Sequence, residues 1–124
     1  MAIAERWRIE AILKLARQLD LTTLSIPGRK DPSSKTSVCM RGLGYTPSDV
    51  LEVIHSLEVR HYSEGPKRDD KGRPHDLWVF GKVVEGRLIY IKFTVFYDDG
   101  AVIGVCVSFH EPEREMAFPY ERVR

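Results

Sequence analysis

Apolar positions change their period once along the chain, close to residue 58. Over residues 3–19 (IAERWRIEAILKLARQL), Ile3, Trp7, Ile12, Leu15, Ala16 and Leu19 recur at helical spacing with charges opposite them, which predicts an amphipathic helix. A second, short helix is expected over 33–42, after Asp31-Pro32 and ending near Gly42 and Gly44. Thr46-Pro47-Ser48-Asp49 then precedes VLEVIHSL, with threonine at the cap, proline at the first helical position and an acid at the third. Val50, Leu51, Ile54 and Leu57 form the apolar face of that third helix.

Beyond this point the period is two. Segments 59–63, 77–84, 88–97 and 101–110 are rich in β-branched and aromatic residues and are separated by turn signals. Glu85-Gly86 closes one tight hairpin. Asp98-Asp99-Gly100 is expected to close another as a three-residue loop, with glycine in the left-handed region. Tyr97 then faces Ala101, and one side of the last hairpin reads Ile89/Phe109, Ile91/Val107, Phe93/Val105, Val95/Ile103, wholly apolar. The other side reads Leu88/His110, Tyr90/Ser108, Lys92/Cys106, Thr94/Gly104. A two-residue loop would mix the two faces, so the three-residue loop is preferred.

Helices first and an antiparallel meander after them predict an α+β domain, its N-terminal helices packed on one face of a C-terminal antiparallel sheet. A single domain over 1–124 is expected, with a helical part at 1–58, the sheet at 59–110 and a tail at 111–124. Trp78 shares Phe93's side and reads as core rather than as a stacking platform. In the tail, Met116, Phe118 and Tyr120 are spaced two apart. Folding back over the core is the preferred reading of this segment, ahead of an added edge strand or a partner's docking strip.

Composition narrows the class. With 124 residues, 43% of them hydrophobic and 30% charged, the chain suits one core. No apolar run approaches the ~20 residues of a membrane span. The first residues carry charges where a secretory leader is apolar, so a cytoplasmic protein with no membrane partner is expected. Cys39 and Cys106 lack metal-ligand spacing and read as packing residues, which leaves no metal, cofactor or disulfide expected. The net charge of +1 argues for no polyanionic partner by itself. Its distribution adds something: residues 59–97 hold eight Lys/Arg against five Asp/Glu, and residues 98–124 hold three against six.

Candidate chemistry lies on the polar side of the last hairpin. His110, Ser108, Tyr90 and Lys92 put an acid–base group, a hydroxyl, a phenol and an ammonium within reach of one another, the type of set that handles a phosphate or a labile proton. An ordinary solvated sheet face has the same composition. The loop GPKRDDKGRP offers Lys67, Arg68, Lys71 and Arg73 as phosphate contacts, or forms a solvated turn whose aspartates offset half its charge. His55, His61 and His75 read as structural or solvated.

LEVRHYSEG after a helix, the tryptophan strand HDLWVFGK, IYIKFTV, and a final strand ending SFHE together resemble the MqsR-type toxins of bacterial toxin–antitoxin pairs, within the RelE-like group of messenger-RNA endoribonucleases. The resemblance runs from Leu57 to Glu111. It implies a RelE-like fold and metal-independent cleavage of mRNA, single-stranded or presented by the ribosome. It also implies control by a cognate antitoxin encoded beside the toxin. At the family's functional positions Tyr90 keeps the tyrosine, while His110 and Glu64 stand where the family has lysines and Val79 where it has a glutamine. No helix-turn-helix is present, so DNA binding by this chain alone is not expected.

Cleavage by internal transesterification needs a base for the 2′-hydroxyl proton, an acid for the departing 5′ oxygen, and a cation for the phosphorane charge. The expected assignment is Glu64 as base, His110 as acid, and Lys92 with Lys67 or Arg68 on the phosphate. Tyr90 positions the phosphate or stacks on a base, and Arg73 and Ser108 are further RNA contacts. The alternative is a catalytically inactive RNA- or protein-binding module of the same fold, which the replaced lysines favour.

Overall fold

A computed structural model describes residues 2–122. The described chain runs α1 (Arg6–Ala16), β1 (Leu24–Ser25), α2 (Lys35–Leu43), α3 (Pro47–His55), β2 (Tyr62–Lys67), β3 (Leu77–Val84), β4 (Arg87–Asp98) and β5 (Ala101–His110), with short 3-10 turns at Pro27–Lys30 and Val59–His61. The five strands form one sheet in the order β1-β5-β4-β3-β2. This is the α+β fold expected, with one addition. The two residues of β1 pair parallel to β5, Leu24 opposite Gly104, so the sheet is mixed.

Helix boundaries follow local chemistry. The Ser34 hydroxyl accepts the Ser37 N–H to start α2, and Gly44 ends it in the left-handed conformation at φ 71°. At α3 the Asp49 carboxylate accepts from both the backbone N–H and the hydroxyl of Thr46, at 2.8 and 3.0 Å. In α1 the apolar stripe differs from the expected one. Ile9, Leu13 and Ala16 are buried, whereas Trp7 is 64% exposed, its indole donating to Glu5, and Ile3 lies outside the helix. The helix starts at Arg6, and Ala4 just before it is held by the hydroxyl of Tyr62 through its N–H, which fixes the face that turns inward.

The two hairpin turns share one geometry. Glu85-Gly86 and Asp99-Gly100 both have two residues at positive φ (52° and 78°; 50° and 79°), the paired left-handed turn that matches strand twist. The three-residue loop expected at 98–100 is therefore corrected: Asp98 faces Ala101. Mixing of the faces is avoided by a bulge further along. Phe93 pairs with Cys106 but Lys92 with Ser108, leaving Val107 as the extra residue. Cys106 and Gly104 thereby turn into the core, against the expected register, while Ser108 and His110 stay on the opposite face.

The inner face of the sheet is dry. Ile89, Ile91, Phe93, Phe80, Tyr62 and Phe109 are fully buried, Phe80 stacking on Phe93 (5.5 Å between centroids) and edge-on to Tyr62 (6.0 Å). Trp78 is buried here as expected. On α2, Thr36 accepts the N–H of Phe109 with its hydroxyl. His55 bonds the carbonyl of Leu19, tying α3 to the segment that follows α1. Burial pushes the Cys106 thiol up to about 12, and half-buried Cys39 is also raised, by burial first and by the Glu111 carboxylate second. At mildly alkaline pH we expect a thiol reagent to modify Cys39 slowly and to reach Cys106 only after denaturation. Prompt labelling of both thiols in the native state would contradict this packing.

Candidate functional site

The outer face of the sheet is where the candidate residues stand, and two irregular strands aim them. Strand β2 pairs Tyr62 with Phe80, Glu64 with Val79 and Lys67 with Leu77, so it carries extra residues on both sides of Glu64. Without a bulge, Glu64 and Lys67, three positions apart, would face opposite sides of the sheet. The Gly65-Pro66 irregularity turns both outward. Gly65 sits at φ 121°, and a Cβ there would stand 2.9 Å from the Leu77 carbonyl oxygen, so the kink requires glycine. The strand thus continues through Pro66, where a loop was expected, and the residues expected as its start (59–61) form the 3-10 turn.

The resulting ladder sets a row of side chains across four strands: Glu64, Val79, Lys92 and Ser108. Tyr90 and His110 form the next row, their rings stacked with centroids 5.5 Å apart. These residues and Lys67 line a cleft of about 600 Å³, within the size of small-ligand sites. Glu64 and His110 belong to strands separated by β3 and β4, about 14 Å between strand axes at ordinary spacing. Tyr90 and Lys92 on β4 lie between them.

The electrostatics are specific. Lys67 reaches Glu64 at 2.7 Å, and this hydrogen bond raises the ammonium's pKa and keeps it charged. Lys92 forms no ion pair among the described residues and leaves a free cation in the floor. Burial raises the Tyr90 phenol, opposed by Lys67 and reinforced by Glu64 and Glu113, so Tyr90 enters neutral solution as a hydrogen-bond donor. His110 Nδ1 lies 2.8 Å from the Glu111 carbonyl oxygen. A carbonyl can only accept, so the proton sits on Nδ1, and Nε2 is left to exchange one.

Arg68 and Arg73 are not brought to this cleft. Arg68 is exposed, and Arg73 donates to the Asp69 carboxylate at 3.1 Å, the aspartate being 5% exposed. His75 stacks flat on Phe96, 3.7 Å between centroids, and His61 accepts the Glu58 N–H at Nδ1. Both histidines have structural contacts of their own. The cleft also has lining that the sequence did not assign to it: Ser63, Ala2 and Ile3, and from the tail Glu113 through Ala117 together with Pro119. The two-residue spacing of Met116, Phe118 and Tyr120 was the available signal. The segment does fold back: Tyr120 donates to the Ala4 carbonyl at 2.8 Å, and Lys35 pairs with Glu113. No helix among the described residues is long and apolar enough to cross a membrane, and no group of three or more His, Cys, Asp or Glu there could hold a metal ion.

No curated protein and no solved structure matches the chain. One family model does, over residues 19–111, and it is described as the motility quorum-sensing regulator, toxin of MqsA. Those residues span α2, α3 and the whole sheet, including every strand that floors the cleft. The chain belongs to the MqsR toxin family and is a toxin of a toxin–antitoxin system, with a cognate antitoxin as its partner.

Proposed function

We propose that this toxin is an endoribonuclease that cuts mRNA by internal transesterification without a metal ion. The observation that carries the reading is the free ammonium of Lys92 in the cleft floor, flanked on its own sheet face by a hydrogen-bonded imidazole and a neutral phenol. The scissile phosphate lies over Lys92 and Tyr90. His110, on the β5 side, acts as the imidazolium: Nδ1–H keeps its hydrogen bond to the Glu111 carbonyl while Nε2 gives its proton to the departing 5′ oxygen, and Ser108 beside it donates to a non-bridging oxygen. Glu64, on the β2 side, takes the 2′-hydroxyl proton. Lys67 holds Glu64 in the resting protein and passes to the phosphate when RNA enters, which frees the carboxylate. Lys92 and Lys67 together offset the charge that grows on the phosphorane. Arg68 and Arg73, outside the cleft, contact flanking phosphates.

Purified protein should cut single-stranded RNA in excess chelator and leave 2′,3′-cyclic phosphate ends. Lys92→Ala should lower kcat/KM by about a hundredfold, the loss expected for one electrostatic contact to the developing charge. Cleavage that stops with chelator and returns with added metal would defeat the acid–base scheme. RNA that is bound but never cut, free or on ribosomes, would favour the inactive binding module, for which the replacement of the family's lysines by Glu64 and His110 is the supporting observation.

A further inference from the structure

The family match stops at residue 111, yet the cleft has a wall built from residues beyond it. Met116, Ala117 and Pro119, joined by Ile3 from the other terminus, line the same cleft as its charged residues. This segment is seated. Lys35 pairs with Glu113 at its start, and Tyr120 at its end donates to Ala4 and lies 6.1 Å from the ring of Tyr62. Between these anchors Met116 and Phe118 rest on Gly81 of β3. A Cβ at Gly81 would stand 2.8 Å from the Phe118 ring and 2.9 Å from the Met116 sulfur. Gly81 has no left-handed φ, so its backbone admits any L residue, and what its missing side chain provides is the seat for this segment.

We propose that the C-terminal segment is the base-binding wall of the cleft, and so a determinant of which nucleotide is cut. The proposal rests on the reading of the cleft as an RNA site. A nucleotide presents two chemistries, a charged phosphate and a base with apolar faces. The floor supplies Lys67, Lys92 and His110 for the first. The wall supplies aliphatic and thioether surface for the second, a polarizable sulfur being well suited to an aromatic face. A base can lie against this wall only when its own faces are free, which selects an unpaired strand. Arg114, exposed and without an ion pair among the described residues, stands at the rim, where the next phosphate passes.

The test uses the full chain with Gly81→Val, which displaces the segment from beneath, and Met116→Asp, which puts a charge on the wall. Steady-state cleavage is measured on single-stranded oligoribonucleotides that differ only in the bases flanking the cut. Binding is followed by anisotropy on the same oligomers carrying a 2′-deoxy sugar at the scissile position. Each variant should raise KM and the dissociation constant about tenfold, in line with the loss of one base contact. The preference among bases should flatten while kcat stays within a few-fold. Thermal melting identifies a variant that fails to fold, in which case the other carries the result. Unchanged KM and base preference in a folded variant, with the wild type active, would overturn the wall and leave the nuclease reading intact. A wild type that neither binds nor cuts RNA overturns that reading itself.

Discussion

Replacing His110 by alanine is expected to lower single-turnover RNA cleavage by about 10²–10⁴-fold, the contribution of a positioned general acid, while leaving the melting temperature close to wild type. The side chain is partly exposed on the outer face at the end of β5, and its hydrogen bond goes to the adjoining Glu111 carbonyl, so little of the core depends on it. Its loss removes the imidazole Nε2 from the cleft and leaves Tyr90 without its stacking partner. Lysine at the same position is the informative second variant. It restores a cation of similar reach but not a group that exchanges protons readily near neutrality. We expect His110→Lys to recover RNA binding and only a fraction of the rate. Full recovery would show that charge alone is needed there, and a rate for His110→Ala within a few-fold of wild type would remove the acid role altogether.

Much of the fold was legible because several local signals agreed. The start of α3 has a cap, a proline and an acid in the expected places, and β3 and β5 were bounded to the residue by the turns that flank them. The first helix shows where such reading stops. Trp7 and Ile3 are the larger apolar side chains near its start, yet Ile9 and Leu13 fill the core. The choice was made by a contact between residues 4 and 62, far apart in sequence, and periodicity carries no record of it. The strand β1 escaped for a similar reason. Two residues cannot show a period, and only the partner β5 makes Leu24–Ser25 a strand.

Irregular strands decided how much of the cleft could be read. The expected register of the last hairpin placed Tyr90, Lys92, Ser108 and His110 on one face, and they do share it. The route differs: a shorter turn shifts every pairing by one, and the bulge at Val107 shifts them again. The two shifts add to two residues at the site end, which restores the face but moves every partner along, Tyr90 facing His110 rather than Ser108; nearer the turn only the first shift acts, which is why Cys106 was placed on the wrong face and His110 was not. In β2, Gly65-Pro66 read as the start of a loop because proline is excluded from regular central pairing. It is instead the bulge that lets Glu64 and Lys67 face the same cleft. Bulges concentrate beside functional sites because they re-aim a side chain without moving the sheet.

The largest effect on stability is expected from Phe80→Ala, at about 3–5 kcal/mol in urea denaturation. Phe80 is fully buried at the centre of the inner face, between Phe93 stacked at 5.5 Å and Tyr62 edge-on at 6.0 Å. Deleting the ring removes a large apolar area from burial, and β3 cannot collapse to fill the space because it is paired on both sides. Total stability of a domain this size is about 5–15 kcal/mol, so the variant keeps a folded state with a much lower midpoint. The consequence should reach the cleft. Within the sheet, strand β3 lies between β2, which carries Glu64 and Lys67, and β4, which carries Tyr90 and Lys92. Loosening it should therefore weaken RNA binding at temperatures where the sheet is still folded, whereas an apolar change outside the sheet, such as Val50→Ala in α3, should lower the midpoint without that loss. Equal binding by the two variants at matched folded fractions would show that the cleft keeps its shape independently of the packing beneath it.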